Sequence, residues 1–276
     1  MSPIPCPPTN GAAVLLAVDI GNTQTVLGLF RGEDVVRVWR IATDTSRTPD
    51  EVAVLVANLF QLEFGEPPAV ETVIVASVVP SLTDAFNELS TSLTGRAPLV
   101  VGPGLKTGLK IGLDNPHEVG ADRIANAVAA KELIGTPSIV VDFGTATNID
   151  VVSAEGTYVG GVISPGLETS ATALFAHAAR LATIDLEFPA GALGRNTRSA
   201  VQSGLMFGEA AKVDGLVRAI WAELGYETPV VATGGLATTL APRCATVTST
   251  NSDLTIVGLR LIAEAHLRLA GQNQKR

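Results

Sequence analysis

Two stretches of this chain share one pattern, and that pattern limits what the chain can fold into. Residues 17–30 read "AVDIGNTQTVLGLF" and residues 140–152 read "VVDFGTATNIDVV". In each, an apolar run closes on Asp-X-Gly, small polar residues follow, and the chain turns apolar again. A run broken by turn residues and then resumed reads as strand, turn, strand. A third strand-like segment follows each pair, "VVRVWRIAT" after the first and "GTYVGGVIS" after the second. The chain therefore opens a three-stranded meander twice, once behind Asp19 and once behind Asp142.

Helical segments fill the space between and after the meanders. In "TPDEVAVLVANLFQLEF" the apolar positions 52, 55, 56, 59 and 60 have helical spacing. Thr48 is placed as an N-cap, Pro49 as the first helical residue and Glu51 as its capping-box partner. "SLTDAFNELSTSL" reads as a second helix opened by Ser81, after the short buried strand "ETVIVASVVP". "PHEVGADRIANAVAAKELIG" reads as a third, stopped by Gly135. Two more helices follow the second meander. Then come the strand "TPVVATGG" and a closing amphipathic helix capped by Ser252. Meanders followed by alternating helix and strand predict an α/β fold, each half a mixed sheet flanked by helices, not one parallel sheet. The expected division is a disordered tail over 1–12, a first domain over 13–135 and a second over 136–276. The closing helix, 252–270, is free to pack back on the first.

Hydrophobic residues make up 46% of the 276 and charged residues 17%, enough apolar side chain for substantial cores. The formal net charge of −8 argues against a nucleic-acid partner, which calls for a basic patch. Cys6 and Cys244 stand alone, outside any metal-ligand spacing, and fit two ordinary thiols in a reducing compartment. The N-terminus "MSPIPCPPTNG" has no basic and apolar leader pattern. No uninterrupted apolar run reaches the ~18 residues of a membrane span. The expectation is a cytoplasmic protein with no membrane partner.

The two acidic turns admit two readings. Asp, Asn and Gly suit tight turns whatever their function. The same residues suit phosphate, because glycine lets backbone N–H groups point into one concavity and small hydroxyls add donors. A carboxylate beside phosphate requires a bridging cation, and Mg²⁺ commonly bridges through water. "ATGGLA" over 232–237 adds a Gly-Gly turn after a buried strand, where an adenosine could approach the backbone. "NPHEVGADRIANAVAA" places Asp122 and Arg123 near a helix start, where anions are favoured. Arg123 could clamp a carboxylate, and Asp122 could take a proton from an alcohol attacking a phosphoryl group. A first-turn acid with a solvated arginine is the plain alternative. His177 reads as a helix residue with a local partner rather than a catalytic base, and His117, beside the proposed substrate loop, reads as either pocket-lining or a surface residue.

Taken in order, "DIGNTQTVLGLF", "RIATDTSRTPDE", "ASVVP", "NPHEVGADRIANAVAA", "VVDFGTATNIDVV", "YVGGVISPGL", "GRNTRSAVQSG" and "ATGGLA" resemble the type III pantothenate kinases. These belong to the sugar kinase, Hsp70 and actin superfamily. The resemblance runs from about residue 13 to 265. It implies two tandem ribonuclease-H-like domains with a nucleotide cleft between them, and a homodimer. The activity it implies is phosphoryl transfer from ATP, with Mg²⁺, to the primary alcohol of pantothenate, the first step of coenzyme A synthesis. Carried over by position, Asp19, Ile20, Gly21, Asn22, Thr23, Gln24, Thr25 and Val26 resemble the first phosphate loop, with Asp19 reaching Mg²⁺ through water. Thr145 resembles an ATP contact in the second loop. Asp122 resembles the catalytic base, and Gly120, Ala121, Asp122 and Arg123 the pantothenate-contacting stretch. Thr197 resembles a further substrate contact. Asp142 resembles the ligand of a monovalent cation, K⁺ or NH₄⁺.

Two departures stand out. Leu113 occupies a position where the family commonly has a tyrosine that contacts substrate, and Asn148 and Ile149 stand where Thr and Phe are usual. Losing that tyrosine removes a hydrogen bond worth about 1 kcal/mol, or up to ~3 where a buried group is left unpaired. The departures leave two other readings on the page. One is a kinase-like homologue that binds or regulates without phosphorylating pantothenate. The other is a kinase for a different alcohol-bearing acid.

Overall fold

The computed structural model describes residues 13–177 and 184–273. The expected tail over 1–12, with Cys6, lies outside them. The first meander forms as β1 (Val14–Ile20), β2 (Gln24–Arg31) and β3 (Asp34–Ala42). It is followed by α1 (Pro49–Phe64), β4 (Thr72–Ser77), α2 (Pro80–Thr94) and the short β5 (Leu99–Val100). The sheet order is β3-β2-β1-β4-β5. β1, β2 and β3 pair antiparallel, while β4 and β5 join in parallel, so the sheet is mixed.

Period-two alternation divides this sheet into faces. Val14, Leu16, Val18 and Ile20 of β1 pack with Leu27, Leu29, Val73 and Val75 against α1 and α2. Phe60 and Phe86 are almost fully enclosed there, each contributing roughly 1.5–3 kcal/mol of apolar burial. Trp39 closes the edge, its ring 5.7 Å from Phe60 and 6.2 Å from Phe64. The α1 start is the predicted capping box. The Thr48 hydroxyl accepts from the Glu51 amide, and the Glu51 carboxylate accepts from the Thr48 amide at 2.8 Å. α2 differs from expectation. It begins at Pro80 with Val79 at the cap position, so Ser81 lies inside the first turn. Proline's preset φ suits that first position, and Ser77 accepts the Val79 amide at 3.0 Å.

Next come β6 (Lys110–Ile111), a single turn at Pro116–Glu118 and α3 (Ala121–Leu133). The second meander is β7 (Ser138–Phe143), β8 (Ala146–Val152) and β9 (Thr157–Pro165). It is followed by α4 (Leu167–His177), α5 (Thr197–Leu224), β10 (Val230–Thr233), α6 (Ala237–Leu240), β11 (Ser249–Thr250) and α7 (Leu254–Asn273). The second sheet has the order β11-β10-β7-β8-β9-β6 and is also mixed. Ile139, Val141, Phe143, Ile149, Val151, Val230 and Ala232 form its core with Met206, Ala210, Val213 and Val217 of α5. Among the described residues no helix is long and apolar enough to cross a membrane.

The chain divides into two compact units that are not consecutive blocks. One holds the chain up to Gly108, then His117–Val128 and Thr255 onward; the other holds Leu109–Pro116 and Ala129–Leu254. A single cut after residue 135 therefore does not describe the division. β6 pairs with β9 of the second sheet, which carries its segment into the second unit. α7 joins the first unit because it packs there at close range. A Cβ on Gly28 would run into the Ile256 side chain, and one on Gly258 would run into the Ala125 carbonyl. Thr255 adds a 2.8 Å hydrogen bond to Asn126.

In the second unit Asp214 of α5 clamps the segment that leads to β11. It accepts from the amides of Ala245 and Thr246, both at 2.9 Å, and from the Thr246 hydroxyl at 2.7 Å. Burial alone would raise its pKa. The Thr246 and Ala245 hydrogen bonds and the nearby Arg218 outweigh burial and hold the carboxyl below its usual 3.8. A carboxyl lowered on folding stabilises the fold above its unfolded pKa and stops doing so as pH falls through the lower folded value. Asp214→Asn is therefore expected to lower the unfolding midpoint at pH 7. The gap to the parent protein should narrow as pH drops below about 3.8, as followed by thermal melts across pH.

Candidate active site

The first unit carries one group of predicted site residues. Asp19 lies one residue before the end of β1, opposite Val26 of β2 and Ala76 of β4. Its odd position turns it away from the α1/α2 core. It lies on the same face as Ala17 and Gly28, the face that α7 covers through Ile256. Ile20 is fully buried, Gly21, Asn22 and Thr23 form the loop, and Gln24 opens β2. The loop is held from behind. The Gly21 amide donates to Gln24 O at 3.1 Å, and the Val78 amide donates to Ile20 O at 3.0 Å. Thr43, just past β3, donates its hydroxyl to Gly21 O at 2.7 Å and its amide to Thr23 O at 2.9 Å. Its hydroxyl also lies 2.9 Å from that of buried Thr25. Gly21 lacks a positive φ, as does Gly144 of the second turn. The left-handed geometry that makes glycine a favourite of two-residue hairpins is therefore not why these glycines are there.

The same unit holds the start of α3. Gly120 accepts the first helical bond there, from the Ile124 amide at 3.1 Å. Ala121 is buried, while Asp122 and Arg123 are half-buried. The Asp122 carboxylate folds back toward the helix start and accepts the Arg123 amide at 2.9 Å. A Cβ on Gly120 would come within 2.5 Å of Asp122 Oδ1. Glycine at 120 is what leaves room for that carboxylate, at a helix end whose amides favour negative charge.

The second unit carries the rest. Asp142 pairs with Asn148 across β8 and with Thr233 across β10, so the three form one row on the face away from α5. Gly234, at φ 91, lies under the Asp142 carboxylate, and a Cβ there would collide with Oδ1. Gly144 and Thr145 form the β7–β8 loop. The Thr145 carbonyl accepts the Gly166 amide at 3.1 Å and the Thr169 hydroxyl at 2.6 Å. Leu113 rests on the backbone of Gly160 in β9, 3.6 Å from where a Cβ would stand. Thr197 opens α5 behind the Asn196 cap and lines a groove of about 710 Å³ with Leu174, Arg195, Asn196 and Gly204.

These groups suit hard cations and phosphate. No cluster of three or more His, Cys, Asp or Glu occurs among the described residues, so a divalent ion here would share one carboxylate with phosphates and water, the usual arrangement for Mg²⁺. At Asp142, too, a single carboxylate is available, with Gly234 leaving room for its Oδ1. Cys244 is a buried thiol whose pKa is pushed up to about 12 by burial and by the charges of Asp214 and Glu209, so it offers no nucleophile. His117 is exposed, and His177 Nδ1 lies 2.9 Å from the Ala173 carbonyl, a local helix contact.

Comparison with known proteins agrees with this arrangement. A ROK hexokinase from Thermus thermophilus superposes with a TM-score of 0.52 at 15% identity, over 92% of this chain and 99% of its own. The fold is that of the actin-like ATPases and ROK sugar kinases, two tandem ribonuclease-H-like domains, each a mixed sheet flanked by helices. The family is narrower. A sequence profile of the type III pantothenate kinases matches residues 15–219. The type III pantothenate kinase of Moorella thermoacetica is 44% identical over 91% of this chain and 99% of its own length. That of Streptomyces avermitilis is 47% identical over 92% and 99%. The chain belongs to the type III pantothenate kinase family.

Sequence reading passed over the residues that hold the loops. Thr43 sits inside the motif "RIATDTSRTPDE", but nothing in the string says that its hydroxyl returns to Gly21. Thr147, next to the second loop, and its partner Glu209 are far apart in the chain. Their only sequence signal is an acid, Glu209, beside the apolar positions Met206, Ala210 and Val213 on the buried face of α5. For the first loop, Thr43→Val removes the hydroxyl that binds Gly21 O and Thr25 while keeping the shape. We expect a stability loss of about 1 kcal/mol and faster amide hydrogen exchange confined to residues 20–25. Unchanged exchange there would show that the loop holds without Thr43.

Proposed function

We propose that this chain is an ATP-dependent pantothenate kinase that forms 4'-phosphopantothenate, the first step of coenzyme A synthesis. The observation that carries the reading is family membership at 44–47% identity over nine-tenths of the chain. Phosphoryl transfer asks a protein for positioning and charge neutralisation more than for covalent chemistry. The residues supply both. Asp122 takes the proton of the attacking primary alcohol, and Arg123 pairs with the pantothenate carboxylate, with Gly120 and Ala121 setting their place. Residues 20–26 and Thr145 hold the phosphates of ATP through backbone amides and hydroxyls. Asp19 holds Mg²⁺ through water, and that ion offsets phosphate charge. Asp142 binds K⁺ or NH₄⁺, a role supported by the carboxylate cradled over Gly234. Thr197 contacts substrate from the wall of its groove.

The reading includes a cytoplasmic homodimer. α5 supports the pairing of two copies, because Ala200, Gly204, Gly208, Ala211 and Gly215 recur every three or four residues and all are exposed. Such a strip lets a second helix approach closely. Leu113 makes an apolar contact where a tyrosine would offer a hydroxyl, which weakens pantothenate binding without touching the base.

One assay tests the whole: purified protein, ATP, Mg²⁺ and KCl with pantothenate and related hydroxy acids. Phosphopantothenate is the expected product; no product from any acceptor would sink the reading. Within it, Asp122→Asn is expected to lower kcat by about 10²–10⁴-fold, with binding of a non-hydrolysable ATP analogue nearly unchanged. Undiminished turnover would remove Asp122 as the base. KCl should activate more than NaCl, and Asp142→Asn should abolish the difference. Equal rates in both salts for the parent protein would count against a cation at Asp142.

A further inference from the structure

Behind the second loop lies a polar chain, buried at Thr147 and Glu209 and partly exposed at Lys212, that neither core packing nor the proposed chemistry accounts for. Thr147, the second residue of β8, is 1% exposed, and its position opposite Phe143 turns it toward α5. Its hydroxyl donates to Glu209 Oε1 at 2.6 Å. Glu209 is 5% exposed, and its other oxygen pairs with Lys212 Nζ at 2.8 Å. That ammonium also donates to the Pro165 carbonyl at 2.8 Å. Pro165 ends β9 and lies directly before Gly166, whose amide donates to Thr145 O. Gly166 packs so closely that a Cβ would lie 2.6 Å from Thr145 O. Ser164 donates to Thr147 O at 3.2 Å and Thr169 to Thr145 O at 2.6 Å. The chain of contacts thus starts on α5 and closes on the loop from both sides, through Thr147 and through Pro165 and Gly166.

Removing a carboxylate from water is costly, and well-packed apolar residues often replace a buried ion pair without loss of stability. Such a pair has a clearer use in fixing orientation. Here its two ends reach the residues that flank Gly144 and Thr145. We propose that Glu209, with Lys212 and Thr147, is a positioning unit for the second phosphate loop and sets the affinity for the ATP phosphates. The inference rests on reading Thr145 as an ATP contact. None of the three touches the reacting atoms in this assignment. They act through the loop, and a displacement of a fraction of an ångström there is enough to be felt in binding.

The test compares steady-state kinetics and thermal midpoints for Thr147→Val, Thr147→Ser, Lys212→Met and Thr145→Ala. Thr147→Val keeps the shape and removes the donor; Thr147→Ser keeps the donor. Lys212 is partly exposed, so Lys212→Met gives a folded second probe if Thr147→Val does not fold. We expect Thr147→Val and Lys212→Met to raise the KM for ATP roughly tenfold. The KM for pantothenate should stay within about twofold, and Thr147→Ser should restore the ATP value. A weaker affinity for a non-hydrolysable ATP analogue, measured by calorimetry, should match. If Thr145→Ala raises the ATP KM while folded Thr147→Val and Lys212→Met do not, the positioning role is wrong and the loop assignment stands. If Thr145→Ala is also silent, the loop assignment fails and the inference falls with it. Equal rises for ATP and pantothenate would mark a general loosening and overturn the proposal.

Discussion

The alternation of side chains along a strand is the constraint on which the rest depends. In β1 and β7 the residues on one face are uniformly apolar and pack against helices. The carboxylate near each strand's end sits on the other face, so Asp19 and Asp142 leave the cores without breaking them. A shift of register by one residue would turn both carboxylates into the apolar faces that pack against the helices. Core formation and the placement of the acids on the opposite face are thus one event. The hydrophobic drive that sets the register also sets the chemistry.

Glycine serves the sites mainly by leaving space. At Gly120 the missing side chain admits the Asp122 carboxylate, and at Gly234 it admits that of Asp142. The same device joins elements distant in sequence, as where Gly28 and Gly258 let α7 lie on the first sheet and on α3. Behind each loop stands a hydroxyl: that of Thr43 bonds the Gly21 carbonyl of the first, and that of Thr147, beside the second, bonds the Glu209 carboxylate. The braces differ in kind. The first is neutral and partly exposed. The second ends in an ion pair between buried Glu209 and partly exposed Lys212, in which the carboxylate bears the greater desolvation cost.

Much of the architecture was legible in the string. Both meanders, the α1 capping box and the Gly135 stop came from periodicity and cap chemistry, which are local. Ser81 misled because the following helix takes its start from Pro80, one residue earlier. The short strands β5, β6 and β11 carried no signal of their own, since two residues form a strand only when a neighbour offers an edge. The split into units was legible only in outline. Nothing local in "LKIGLDNP" says that it pairs with β9, and the closing helix joins the first unit through two glycines that match nothing nearby in sequence.

The sequence by itself determined the elements, their order and the family, because strand alternation, caps and ordered motifs are properties of short windows and their succession. It also named the residues able to carry chemistry, since only certain side chains can accept a proton or share a cation with phosphate. Tertiary structure decided which backbone makes room for which carboxylate, which helix covers which sheet, and that an acid on α5 reaches a threonine on β8. Those are contacts between residues far apart in the chain, and their free energy comes from burial and hydrogen bonds that exist only once the sheets and helices have packed.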